Sequence, residues 1–322
     1  MFLAIAAVLI GIIILVVSAD KFVEGAAVTA KHFGLPPLLI GMLVIGFGSS
    51  MPEMVISFLS AYEGNPGLAL GNAIGSNISN IALILGVTAV ISPIAVASTV
   101  IHRELPLMLV VTALAASLIY FDGTLNKIDG VILMGIFIAV MSWTIYQGIH
   151  VPKDHLAEVV EQEFKETLPL KTALIFLAVG LITLVISSRI LVWGGVDIAQ
   201  RLGISDLIIG LTIVAIGTSL PELASSIAAV KKNEHELALG NVIGSNMFNI
   251  SIVIGIAALV SPSAVDPDVL YRDLPVLGVM TVALFIMCYG FGGKGRISRQ
   301  EGITLLLGYI SYNALLIVSV VG

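Results

Sequence analysis

Charge is scarce in this 322-residue chain: Asp, Glu, Lys and Arg make up 11% of it, where a soluble globular domain carries about 25%. With 58% hydrophobic residues and a mean hydropathy of +1.08, that scarcity excludes a soluble globule and leaves an integral membrane protein. Cysteine is almost missing. Cys288 stands alone, which rules out a disulfide or a Cys-zinc centre within the chain. The only long polar stretch is 150–170; its five acids and two lysines show no DxDxDG spacing and read as solvated surface, not a calcium loop. His32, His102, His150, His155 and His235 fall at expected loops or helix ends, where solvated surface is again the expectation. No HExxH, nucleophile elbow or phosphate loop coincides with the repeated segments described below. An enzyme is therefore not expected, nor a cofactor, a nucleic-acid partner or a required protein partner.

What the sequence does hold is ten apolar runs near or above the ~20 residues that cross a bilayer as a helix: 1–19, 37–61, 68–91, 105–121, 128–148, 171–192, 206–230, 237–260, 273–291 and 301–321. The lipid bilayer is their expected surrounding. The first run resembles a signal peptide ending at Val17-Ser18-Ala19 but lacks a basic segment ahead of it. A repeat decides in favour of a helix. GFGSSMPEMVIS at 46–57 returns as AIGTSLPELASS at 215–226, and GNAIGSNISNI at 71–81 returns as GNVIGSNMFNI at 240–250. The offset is 169 throughout, without a gap from Gly34/Gly203 to Pro106/Pro275, and it sets residues 1–19 against 170–188.

Each copy carries five runs, and an odd number forces the second copy into the membrane upside down. The expected fold is thus an all-α integral membrane protein of ten transmembrane helices in two inverted five-helix repeats: 1–149, a polar cytoplasmic linker 150–170, and 171–322. With the N-terminus outside, the inside loops hold eleven Lys and Arg and the outside loops four, so both termini are expected outside. Asp20, Lys21, Glu24 and Arg189 lie close to apolar sequence, which leaves room for longer, tilted first and sixth helices.

The repeated segments are polar inside apolar sequence. Pro52 cannot donate to the carbonyl of Gly48 and should break its helix, as Pro221 should at Gly217. Freed carbonyls at membrane depth are tolerated where they are buried in protein or line a cavity, and Gly46, Gly48, Ala215 and Gly217 leave that backbone largely uncovered. Glu53 shares a helix face with Ser49 and Ser50, and Glu222 with Thr218 and Ser219. Asn72, Ser76 and Asn80, spaced by four, form a polar stripe repeated by Asn241, Ser245 and Asn249. These are hard oxygen donors, suited to Ca²⁺ or Na⁺, and two carboxylates balance one divalent cation. Protons should compete with it. Packing explains Ser, Thr and Asn in membrane helices as readily as ligation does, and Asn72, Asn77, Asn241 and Asn246 stand open between the two; small-xxx-small glycines at 71/75 and 240/244 favour packing. It does not explain two intramembrane acids, which read as functional.

The double signature G-[ST]-S-x-P-E and G-N-x-x-G-S-N-x-x-[ND] closely resembles the alpha-repeats of the cation/calcium antiporter superfamily, the sodium/calcium exchangers, over essentially the whole chain. The resemblance implies Ca²⁺ held by Glu53 and Glu222 with Ser49 and Thr218. It implies Na⁺ sites at the Gly46 and Ala215 carbonyls with Ser50, Ser76, Ser219 and Ser245, and Asn80 and Asn249 closing the centre. Helices 1 and 6 would slide across as the gate. Ser49 departs from the family's common Thr and Asn249 from an acid in many relatives, which bears on K⁺ coupling and the Na⁺ count. The expected function is Ca²⁺/Na⁺ antiport by alternating access in a prokaryotic inner membrane, expelling Ca²⁺. H⁺/Ca²⁺ or K⁺-dependent exchange is the alternative, and a cation channel or an intramembrane acid/base enzyme the remoter ones.

Overall fold

The computed structural model describes residues 1–150, 168–203, 215–290 and 295–321. They form the helices α1 (Phe2–His32), α2 (Pro37–Ser49), α3 (Met51–Tyr62), α4 (Pro66–Ile91), α5 (Val100–Asp122), α6 (Lys127–His150), α7 (Leu170–Arg201), α8 (Ala215–Thr218), α9 (Leu220–Lys231), α10 (His235–Val260), α11 (Val269–Tyr289) and α12 (Arg299–Val321). Eight are long and apolar enough to cross a membrane, and α2 with α3, bent by 45° between them, makes a ninth as one broken span. Of the one remaining expected span, 206–230, the described residues run from 215 on and form α8 and most of α9; 206–214 lie outside them. The chain is an all-helical, multi-span membrane protein. Its outer surface presents Phe2, Ile13, Phe121, Ile138 and Val318, side chains that hydrocarbon solvates and water would not.

Helices α1 and α7 run 31 and 32 residues, past the apolar runs. Asp20, Lys21 and Glu24 are on the helix rather than beyond it, with Lys21 and Glu24 paired at 2.9 Å one turn apart. At 1.5 Å per residue each helix is ~46 Å long, more than the ~30 Å hydrocarbon core, so it tilts or projects. Gly34 (φ +63°) and Gly203 (φ +77°) follow the two C-termini in the left-handed conformation a side chain would resist.

The α1–α7 contact is reciprocal. A Cβ on Gly25 would lie 2.5 Å from the carbonyl oxygen of Ala173, and one on Gly194 would lie 2.7 Å from that of Ala4. Gly11 meets Leu191 as Gly180 meets Phe22. Each contact maps onto its partner under the 169-residue offset, and the two helices run antiparallel. Glycine permits the backbone approach by which helices associate in lipid, where no hydrophobic force drives them together.

Helices α4 and α10 form the centre: 72% and 83% of their apolar windows are buried, against 22–28% for α1, α6, α7 and α12. Gly, Ala, Ser and Asn make up 13 of the 26 residues of α4 and 11 of the 26 of α10, which lets neighbours in closely at Gly86, Gly240 and Gly244. Gly240 packs on Leu38 and Gly41, and Gly244 on Met42, so the packing reading holds for that pair; it fails at Gly71 and Gly75, where a Cβ would meet nothing within 4 Å. Each central helix widens into a π-helical turn, at Asn80–Ile84 and Phe248–Val253. Two short antiparallel strand pairs join the halves: β1 (Ile94–Ala95) with β4 (Arg296–Ile297), and β2 (Thr124–Leu125) with β3 (Ser263–Ala264).

Candidate functional site

Pro52 and Pro221 sit in the first turns of α3 and α9, where a missing N–H costs nothing, and the break falls just ahead of each. This restarts a helix inside the protein and places Glu53 and Glu222 in its first turn, where backbone N–H groups and the dipole favour an anion. Both acids are 1% exposed. Ser50, at the end of the first broken segment, donates to Glu222 Oε1 at 3.1 Å, so one copy's hydroxyl meets the other copy's carboxylate.

An outer set of amides fixes the acids. Asn241 Nδ2 donates to the Glu222 carbonyl at 3.1 Å and to Ser226 Oγ at 2.9 Å. Asn72 does the same to Glu53 and Ser57 at 3.2 and 2.9 Å. Asn241 Oδ1 accepts from Ser49 at 3.1 Å. Deeper in, Asn80 donates to Asn246 Oδ1 at 3.1 Å and Asn77 to the Asn246 carbonyl at 3.2 Å. The nitrogens of these four donors are thus structural, which leaves oxygens to do other work.

Many of those oxygens lack a donor. Both carboxylate oxygens of Glu53, Oε2 of Glu222, Oδ1 of Asn77, Asn80 and Asn249, and Oγ of Ser219 are buried without a hydrogen-bond partner among the described residues. A buried acceptor left unmade costs about 1–3 kcal/mol, and an uncompensated carboxylate several more. Neither Glu53 nor Glu222 makes an ion pair among the described residues. Such a set of oxygens around two acids is chemically matched to a hard cation. No cluster of three or more His, Cys, Asp or Glu exists among the described residues, as expected of a site built on two acids and neutral oxygens.

Other expected residues fall around this core. The Gly46 carbonyl is not freed by the proline: it keeps its helical bond from the Ser50 N–H at 3.1 Å and accepts from Ser245 at 3.3 Å and Ser49 at 3.4 Å. As a ligand it would have to exchange one of those hydroxyls. Ser76 is buried on α4 between Asn72 and Asn80, Thr218 is half-buried at the end of α8, and Ala215 heads that helix. Of the histidines, His32 and His102 are exposed, but His235 is half-buried, with Nδ1 out of solvent and without a hydrogen-bond partner among the described residues. The His150 side chain, His155 and most of the 150–170 linker lie outside the described residues.

Sequence reasoning passed over Ser57 and Ser226, four residues after each Glu, which accept from Asn72 and Asn241. The repeat signals the serines directly. Access is lopsided: Gly71 is exposed and Asn72 half-buried, whereas Gly240 and Asn241, their equivalents, are buried.

The family model for sodium/calcium exchanger protein matches residues 3–146 and 172–318. The CaxA protein of Alkalimonas amylolytica is 44% identical over 310 residues, 96% of this chain and 97% of that one. Inner membrane protein YrbG of Escherichia coli is 39% identical over 322 residues, covering 98% and 97%. A solved structure of the sodium-calcium exchanger NCX_Mj, soaked with Na⁺ and Ca²⁺, superimposes with a TM-score of 0.83 at 35% identity over 98% of both chains.

Proposed function

This chain belongs to the sodium/calcium exchanger family, and from that premise we propose that it is a secondary active antiporter exchanging Ca²⁺ for Na⁺ by alternating access. It works in a prokaryotic inner membrane, with both termini outside, and expels Ca²⁺. The observation that carries the reading is the pair of buried acids, one from each copy, with Ser50 of the first copy bonded to Glu222 of the second and acceptor oxygens around them that have no donor among the described residues. Glu53 and Glu222, helped by Ser49 and Thr218, hold Ca²⁺. Ser50, Ser219, Ser76, Ser245 and the Gly46 and Ala215 carbonyls serve Na⁺, with Asn80 and Asn249 closing the centre. A bound cation neutralises the acids and lets the carrier change face; the empty, doubly charged site resists the change, which couples the two fluxes.

Ten helices in two inverted repeats, 1–149 and 171–322 around the 150–170 linker, are the architecture that goes with this mechanism. The reciprocal α1–α7 glycine contacts and the exchange of strands between halves support it. The lopsided exposure at Gly71 and Gly240 supports one-sided access. The test is flux in proteoliposomes: an outward-directed Na⁺ gradient should drive Ca²⁺ uptake without added K⁺ and with the pH clamped. Uptake that follows only a K⁺ or H⁺ gradient would replace this reading by K⁺-dependent or H⁺/Ca²⁺ exchange.

A further inference from the structure

Asp20 on α1 and Lys232, the residue after α9, form an ion pair at 2.9 Å. Under the 169-residue offset Asp20 corresponds to Arg189 on α7, and Lys232 to Glu63, the residue after α3. The signs are exchanged, so the second pair is as complementary as the first. It is not made: Arg189 and Glu63 are both exposed, and neither has an ion-pair partner among the described residues.

The two ends of the site differ in step with this. At the Lys232 end, where the pair is closed, Gly240 and Asn241 near the start of α10 are buried. At the Glu63 end, where it is open, Gly71 near the start of α4 is exposed and Asn72 half-buried. Helices α1 and α7 hold each other through four glycines, so a shift of one carries the other, and one ion pair parts as its counterpart closes. Building on the antiport reading, we infer that Asp20–Lys232 and Glu63–Arg189 are two alternately made latches, each holding the cation site shut on its own face. The four residues position the gate and touch no ion.

The experiment reads accessibility, which needs no ion flux. In a Cys288→Ser background, Gly71→Cys reports the Glu63 face through its labelling by a membrane-impermeant maleimide in oriented vesicles. Exposed ion pairs of this kind shift an equilibrium by about two- to fivefold. Glu63→Arg or Arg189→Glu alone should raise the labelled-to-protected ratio by that factor, Asp20→Asn should lower it, and the double reversal Glu63→Arg/Arg189→Glu should return it to the parent value. Glu63→Gln and Arg189→Gln, which add no repulsion, should act in the same direction with smaller amplitude. Unchanged labelling in the single variants, or a double reversal that fails to restore it, overturns the latch. Because Na⁺-driven Ca²⁺ uptake is measured separately on the same vesicles, intact uptake with a failed labelling pattern sinks the latch alone.

Discussion

In the proposed site two glutamates carry the chemistry, and the side chains around them set how a cation is held. Glu53→Gln or Glu222→Gln keeps the shape of the site and removes half of its balancing charge; losing one partner of a buried charge set weakens binding by at least ~100-fold. Ca²⁺ uptake by either folded variant in proteoliposomes should be abolished, and wild-type rates in both would withdraw the assignment. On the proposed assignment protons and Ca²⁺ claim the same carboxylates, so lowering the pH should weaken Ca²⁺ binding and raising it should strengthen it, the apparent midpoint belonging to the coupled pair. A calcium titration that stays flat from mildly alkaline to acidic pH would contradict this. Asn249, whose Oδ1 is buried without a donor among the described residues, is the position where the proposal expects the ion count to be most sensitive. Asn249→Asp should either sharpen inhibition by acid or add dependence on another monovalent cation; superimposable Na⁺, K⁺ and pH curves would remove residue 249 from the site. The glutamates, Asn80 and Asn249 were legible in the sequence because charge and amide amid apolar residues need a reason. Ser57 and Ser226 were not singled out, since a serine one turn from a glutamate looks like any small packing residue. Asp20 and Arg189 were read only as charges beside apolar sequence, and their correspondence was missed because a repeat is recognised by identity and these two match by opposite sign.

At the scale of elements, proline announced the breaks between α2 and α3 and between α8 and α9, and the apolar runs announced the remaining spans. The apolar runs alone stop short of the ends of α1 and α7, and Asp20, Lys21, Glu24 and Arg189 beside them were the sign that these helices run on; long side chains on a tilted helix reach the interface. The π-helical turns at Asn80 and Asn249 and the two-residue strands have no periodicity to betray them. The glycine contacts of α1 with α7 set a strong expectation. Gly194→Leu puts a side chain where Ala4 and Val8 already sit, and overpacking of this kind costs about 1–3 kcal/mol. Thermal unfolding in detergent should move down by several degrees, and Ca²⁺ uptake should fall with it. An unchanged melting profile and full uptake would mean that the close approach matters to neither.

Over the whole molecule, the duplication was visible at sight, and the inverted arrangement proposed for it rests on an expected odd number of spans per copy. Orientation rests on the distribution of lysine and arginine alone, and a fusion tests it: alkaline phosphatase attached after Gly322 should be active outside the cytoplasm, and a fluorescent protein that matures only in the cytoplasm should stay dark there. The reverse result would invert the topology without touching the site. The central claim is that one pair of acids, built half from each copy, serves Ca²⁺ and Na⁺ in turn. Equilibrium binding of radioactive Ca²⁺ to the purified protein across a Na⁺ series at fixed pH and ionic strength tests it most directly. Bound Ca²⁺ should be displaced by Na⁺ to completion, with choline inert, and Glu53→Gln and Glu222→Gln should each remove the displaceable Ca²⁺. Ca²⁺ that stays bound at saturating Na⁺, or that binds equally well to both variants, would contradict the account.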